Sequence, residues 1–288
     1  MNSTQAWTET REEPRIGAQQ DGNTLGKVGY LVRGKERAVS VLPPEESGDA
    51  RQRLAEYEEH TISVENLRPF AADLSLDGDG VILRARPTAA ADLYDETTIA
   101  QTYYPEIEAL LKAETGAKRI VTFDHTRRVE GDGSLEAKWS RRPVRTVHND
   151  YTDKSGPQRV RDLLGAEADG LLAGRFAVIN TWRPIRGPVL RAPLGFIHPE
   201  SLAPEDVLPA DLIYEDRVGE IYEVAYNPGH RWLYVPEMTR EEILIFKCFD
   251  SARDGRARFL PHTGFDDFAT PELARTRESI ETRSLVFF

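Results

Sequence analysis

The chain has 288 residues, with 37 Lys and Arg against 48 Asp and Glu, for a formal net charge of -11. That balance argues against nucleic acid as a partner, which needs clustered Lys and Arg, and no run approaches the ~18–20 consecutive apolar residues of a membrane span. At 40% hydrophobic residues the chain can bury a sizeable core, and its single cysteine, Cys248, excludes an internal disulfide and a cysteine-cage zinc site.

Residues 1–24 are polar, carry no hydrophobic period and no secretory signal, and read as a flexible arm of a cytoplasmic protein. Residues 25–288 read as a single domain. From Gly29 to Val41 a loose alternation predicts an edge strand or hairpin, and the Pro-, Glu- and Arg-rich stretch Leu42 to Glu59 predicts a loop and a short helix. Ile99, Tyr103, Ile107, Leu110 and Leu111 then recur at helical spacing, with Pro105 as a start or kink and Gly116 as a stop. Arg119 to Val129 is β-branched and aromatic, hence a strand, and Gly131 to Gly133 marks a turn. Pro143 to Thr152 predicts another strand, and Gln158 to Leu172 a helix with Val160, Leu163, Leu164 and Leu171 on its apolar face. Beyond Arg175 the chain alternates strand and turn. About nine short strands follow Ile120, which predicts an α+β, mainly β fold: an antiparallel sandwich or barrel with helices ahead of it.

The most informative local feature is His148-Asn149-Asp150 at the end of a predicted strand. Residues i and i+2 of an extended chain share a face, so an imidazole and a carboxylate can converge on one point. One more histidine would complete the 2-His-1-carboxylate face that holds Fe(II) with open positions. His262 is favoured and His230 is its rival, while His125 reads as a lining or packing residue and His198 as a cap or turn. Beyond His262, Arg277 and Ser279 offer a guanidinium fork and a hydroxyl to the far carboxylate of a dicarboxylic keto acid, with Arg283 second in line. Tyr151 and Thr152 follow the His-x-Asp directly and are expected close to any metal. Tyr103, Tyr151, Trp182 and Trp232 are candidate aromatic walls of a substrate pocket. Arg183, beside Pro184 at a strand end, is a candidate partner for a substrate acid, and Arg128 gives the same faint hint in an arginine-rich chain. In the strand around Cys248, alternation puts Lys247 and Phe249 on one face and Cys248 and Asp250 on the other, with Cys248 a buried small hydrophobe.

The blocks YYPEIEALLKAETGAKRIVTFDHTRR, HNDYT, NTWRPIRGPV, HRWLYVPEMTREEILIFKCFDS, PHTGFDDFATPE and RESIETRSLVF, in that order, resemble the CmcJ/NvfI (AsaB-like) family of non-haem Fe(II)/2-oxoglutarate-dependent oxygenases. The resemblance runs over most of the chain. It implies a double-stranded β-helix (jelly-roll, cupin-like) core, and Fe(II) on His148, Asp150 and His262, although His230 also lies in a shared block. It further implies 2-oxoglutarate and O2 as co-substrates, with the keto acid on Arg277 and Ser279 or on Arg283, and a small-molecule substrate from a natural-product pathway. Outcomes in the family include hydroxylation, desaturation and endoperoxide formation. The alternatives are an Fe(II) oxygenase that does not use the keto acid, and a cupin-like accessory protein without catalysis. A homodimer is the base-rate expectation for a soluble enzyme.

Overall fold

The computed structural model describes residues 22–42, 52–130 and 140–288. The expected N-terminal arm up to residue 21, the loop over 43–51 and the turn at Gly131 to Gly133 lie outside the described residues. The strands among the described residues are β1 (Thr24–Leu31), β2 (Val39–Val41), β3 (Gln52–Arg53), β4 (Tyr57–Asn66), β5 (Val81–Ala85), β6 (Arg119–Val129), β7 (His148–Asn149) and β8 (Phe176–Arg186). They continue with β9 (Leu194–Ile197), β10 (Val207–Ile213), β11 (Val218–Val224), β12 (Trp232–Tyr234), β13 (Glu242–Asp250), β14 (His262–Gly264), β15 (Asp266–Asp267) and β16 (Glu278–Phe287). The longer helices among the described residues are α1 (Tyr104–Thr115), α2 (Ser155–Leu164) and α3 (Ala168–Leu172), and a single α-helical turn, Glu96–Thr98, precedes α1.

Eleven strands form one sheet in the order β15-β1-β4-β12-β9-β14-β7-β11-β10-β2-β3, and five form a second in the order β5-β13-β8-β16-β6. Most pairs are antiparallel, and the two sheets face each other as the jelly-roll core. Phe196, Leu194 and Leu233 of the larger sheet pack on Trp182, Leu244, Phe246 and Cys248 of the smaller one, with the Phe196 and Phe246 rings edge to face at 5.1 Å. Alternation along β13 sends Ile243 and Ile245 to the other side, where Ile107, Leu110 and Leu111 of α1 cover them. The smaller sheet is therefore apolar on both faces. It carries helix on one side and the intersheet core on the other.

The helix over Ile99 to Thr115 forms with its expected buried face. A π turn over Ile99–Tyr103 leads into Pro105 near the start of α1, and Gly116 closes the helix in the left-handed region at φ 67°. Four expectations are corrected. The short helix expected within Leu42 to Glu59 does not form in the described part of that stretch, which holds β3 and the start of β4 instead. Ile62 and Val64 of β4 alternate into a core beside Val28 and Tyr30 of the antiparallel partner β1, and this pairing extends the strand back to Tyr57. The helix over Gln158 to Leu172 is split at Gly165 (φ 51°) into α2 and α3, and Leu163 is exposed. The strand over Pro143 to Thr152 shrinks to the two residues of β7. In β13, a register shift between Lys247 and Phe249 breaks the alternation, so Lys247 Nζ reaches Asp250 Oδ2 at 2.8 Å.

Candidate active site

Strand β14 runs antiparallel between β9 and β7, and its register sets His262 directly across from His148. Their ring centroids are 4.9 Å apart. Between His148 and Asp150, the Asn149 side chain donates to the backbone carbonyls of Tyr151 at 2.7 Å and Cys248 at 2.9 Å, tying this short strand end to the opposite sheet. The flanking imidazole and carboxylate are thereby presented together. One ligand atom each from His148, Asp150 and His262 lies within 4.8 Å of the others.

Each ring is fixed in the same way. His148 Nδ1 lies 2.9 Å from the Thr146 carbonyl and His262 Nδ1 lies 3.0 Å from the Leu260 carbonyl. A carbonyl only accepts, so each Nδ1 carries the hydrogen and each Nε2 keeps its lone pair, as metal ligation requires. His148 Nε2 stands 3.7 Å from Asp150 Oδ1. The other carboxylate oxygen accepts from Asn180 Nδ2 at 2.8 Å and from Arg283 Nε at 3.3 Å. Burial by itself would raise the Asp150 pKa, but the Arg283 charge and the Asn180 hydrogen bond outweigh it and hold the carboxyl below its usual range. The donor set is two neutral imidazoles and one carboxylate on one side, which fits Fe(II) with open positions.

His230 is not part of this set. Its Nε2 faces Asp206 Oδ2 at 3.2 Å, its Nδ1 faces the Tyr30 hydroxyl at 3.1 Å, and its ring stacks on Tyr30. Of the two histidines left open by the sequence, the fold brings His262 and not His230 to His148 and Asp150. His198 caps the 3-10 turn Pro199–Ser201, and His125 pairs through Nδ1 with the Tyr104 hydroxyl at 2.8 Å.

The two candidate arginines do different work. Arg283 is spent on carboxylates: besides Asp150 it meets Asp124 at 3.0 Å and Glu281 at 2.9 Å. Arg277 is buried, donates to Ser279 Oγ at 3.0 Å and to the Ala192 carbonyl at 2.7 Å, and has no ion pair among the described residues. Its pKa is lowered to about 9, first by burial and then by repulsion from Arg128 and Arg145. Its guanidinium lies over the Trp182 ring at 5.2 Å, and the buried Trp182 Nε1–H has no hydrogen-bond partner among the described residues. A Cβ on Gly264, two residues along β14 from His262, would lie 3.2 Å from Arg277 Nη1. The bare guanidinium and the histidine face thus flank one stretch of β14.

Four expected site residues stand elsewhere or are otherwise engaged. Tyr103 and Arg183 lie on the helix-covered side of the smaller sheet, where Arg183 donates to the Tyr103 hydroxyl at 3.3 Å and to the carbonyls of Arg240 and Arg86. Alternation along β8 puts Arg183 on the opposite face from Trp182. Trp232 packs on the far face of the larger sheet, with Nε1 donating to the Tyr30 hydroxyl at 2.9 Å. Thr152 Oγ1 donates to Glu220 and accepts from the N–H groups of Lys154 and Ser155 at the entry to α2. Tyr151 is buried against the intersheet core, and burial, then the charge of Asp124, pushes its phenol far up. Asp124 escaped the sequence reading because only the register Arg283 to Asp124 across β16 and β6 brings it to the site; Glu281, two residues before Arg283 on β16, shares its face by alternation and was overlooked.

The family model described as "Oxidoreductase/YMDC permease-like domain" matches residues 29–287. The "Hydroxylase/desaturase efuI" of Hormonema carpetanum is 31% identical over 88% of this chain and 92% of its own. The chain belongs to this oxidoreductase family, in its AsaB/NvfI-like branch. A second relative, the "Fe(II)/2-oxoglutarate-dependent dioxygenase nvfI" of Aspergillus novofumigatus, is 32% identical over 67% of this chain and 69% of its own. The solved structure of the "iron and alpha-ketoglutarate-dependent endoperoxidase NvfI" superposes with a TM-score of 0.82 at 24% identity, covering 92% of this chain and 98% of that one, and it supports the fold. Among the described residues no helix is long and apolar enough to cross a membrane.

Proposed function

We propose that this chain is a non-haem Fe(II)- and 2-oxoglutarate-dependent oxygenase that oxidises an unactivated C–H bond of a small-molecule, natural-product-type substrate. The observation that carries the reading is Arg277, a buried guanidinium without an ion pair among the described residues, beside the strand that bears His262. A buried charge is costly unless it is matched, and a dicarboxylic keto acid supplies the matching group. Fe(II) on His148, Asp150 and His262 supplies, with 2-oxoglutarate and dioxygen, the oxidising power for hydroxylation, desaturation or a related C–H oxidation.

The chain's own part is to bind and orient. Thr146 and Leu260 carbonyls hold the two imidazoles in the Nε2-ligating tautomer, while Arg283 and Asn180 hold Asp150 ionised and fixed in rotation. Arg277 presents its remaining N–H groups to the distal carboxylate. Ser279, whose oxygen accepts from Arg277, keeps its hydroxyl hydrogen for the same carboxylate. Trp182 and Phe246 wall the site on the opposite sheet and exclude water from it. Hydroxylase/desaturase and endoperoxidase chemistry, named for the relatives, are the outcomes to test first.

Residues 25–288 serve as one oxygenase domain, a reading supported by the family match over 29–287; its first strand, β1, already begins at Thr24, the last residue of the expected arm. A cytoplasmic homodimer is its proposed setting; light scattering at a single chain mass would sink the dimer. The function itself is tested with His148→Ala and Asp150→Ala. Both variants are expected to lose Fe(II) binding and the conversion of 2-oxoglutarate to succinate, and retention of both activities contradicts the assignment.

A further inference from the structure

Arg128 is a second guanidinium that the proposed reaction does not use. It sits on β6, the outer strand of the smaller sheet, directly across from Ser279 of β16. Residues paired across two strands point to the same face, and Ser279 is the hydrogen-bond partner of Arg277, so Arg128 shares the face of the keto-acid arm. Its Nη1 donates to the Arg142 carbonyl at 3.2 Å, on the segment that leads into His148. Among the described residues it makes no ion pair, although Glu281 lies near on the neighbouring strand, engaged with Arg283 at 2.9 Å. Burial, then the positive charges around it, lowers the Arg128 pKa, and Arg128 in turn is the charge that most depresses Arg277. Asp150 is close enough to act on Arg128 from the metal side. Two guanidinia that repel each other on one face of a site invite anions.

One anion is accounted for by Arg277, which already has Ser279 beside it and whose Nη1 lies beside Gly264 on the strand that bears His262. We infer that Arg128 anchors a carboxylate of the substrate itself, so that the oxidised molecule is an organic acid held with its chain reaching toward the histidine face. This rests on the oxygenase reading above. The same chemistry has a second source, since Arg128 would also suit the keto acid, and the test separates the two.

The protein is loaded with Mn(II) in place of iron and with N-oxalylglycine, then titrated calorimetrically with octanoate and, separately, with octanamide. 2-Oxoglutarate is titrated into a second sample that holds Mn(II) alone. The wild-type protein is expected to bind octanoate ~10-fold more tightly than octanamide, the scale of one charge-assisted contact. In Arg128→Gln that preference should vanish while the 2-oxoglutarate Kd stays within about twofold, and Arg128→Lys should restore part of it. Equal binding of the acid and the amide, or binding of neither, overturns the inference. A loss of 2-oxoglutarate binding in Arg128→Gln also overturns it and makes Arg128 a keto-acid residue. Failure of the wild-type protein to bind 2-oxoglutarate strikes instead at the oxygenase reading, so the two failures are distinct. Melting curves of both variants guard against misfolding.

Discussion

Asp150 shows how much of the site is held from behind. Its Oδ2 accepts from Asn180 and Arg283, which fixes the rotation of the carboxylate and leaves Oδ1 turned toward His148 Nε2. Partners of this kind typically contribute 10–100-fold in metal affinity. Arg283→Met is therefore expected to weaken Fe(II) binding by ~10–100-fold and Asn180→Ala by less, both read by anaerobic titration of the folded variants; unchanged affinity would refute the role. Gly264 makes a second case. An added Cβ would lie 3.1 Å from the Val144 carbonyl and 3.2 Å from Arg277 Nη1. Gly264→Ala should thus push the guanidinium aside, raising the Kd for 2-oxoglutarate while leaving the Fe(II) affinity of His148, Asp150 and His262 intact. Parallel losses of both affinities would mean that the glycine serves the strand and not the arginine.

At the scale of elements, the smaller sheet positions Asn180, Trp182 and Arg283, Arg277 stands just ahead of its strand β16, and α1 keeps that sheet in place. Leu111 is fully buried in the layer between α1 and β13. Leu111→Ala is expected to cost about 2–5 kcal/mol in denaturant unfolding, and a loss below ~0.5 kcal/mol would mean that the helix is not anchored there. The elements also show what a sequence can and cannot reveal. His148 and Asp150 were legible because i and i+2 share a face in any extended segment, whatever the rest of the fold does. The choice of His262 over His230 was not, since it depends on β14 pairing with β7 across more than a hundred residues. Tyr103, Arg183 and Trp232 have the residue types of a pocket but lie on the wrong sides of their sheets. Alternation shows that Trp182 and Arg183 diverge, yet the direction of the site is fixed only by sheet packing. The stretch before Glu59 misled for a related reason: Glu58 and Glu59 are exposed, and the strand they open, β4, forms by pairing with β1 rather than through any pattern of its own first residues.

Across the whole molecule, buried ionisable groups remote from the site couple its stability to pH. His230 bridges Asp206 and Tyr30, whose hydroxyl also takes the Trp232 N–H, so one buried chain of bonds joins β1, β12 and the turn before β10. Burial lowers the His230 pKa below its ordinary 6.5, against the pull of Asp206. A histidine kept neutral in the folded state gains a proton first when unfolded. Stability is therefore complete above 6.5 and falls as pH drops through that value toward the folded pKa, by at most ~1.4 kcal/mol per pH unit for one group. His230→Gln should flatten that part of the stability curve, and an unchanged slope would show that other groups set it.

Metal and keto acid are expected to meet on one face, between His262 and Arg277. The direct test is an anaerobic titration of the apo-protein, first with Fe(II) and then with 2-oxoglutarate, followed by visible absorption. A charge-transfer band that appears only when both are present, and that is lost in Arg277→Ala while Fe(II) still binds, is the predicted result. Iron binding with no band in the wild-type protein, or no iron binding at all, would contradict it.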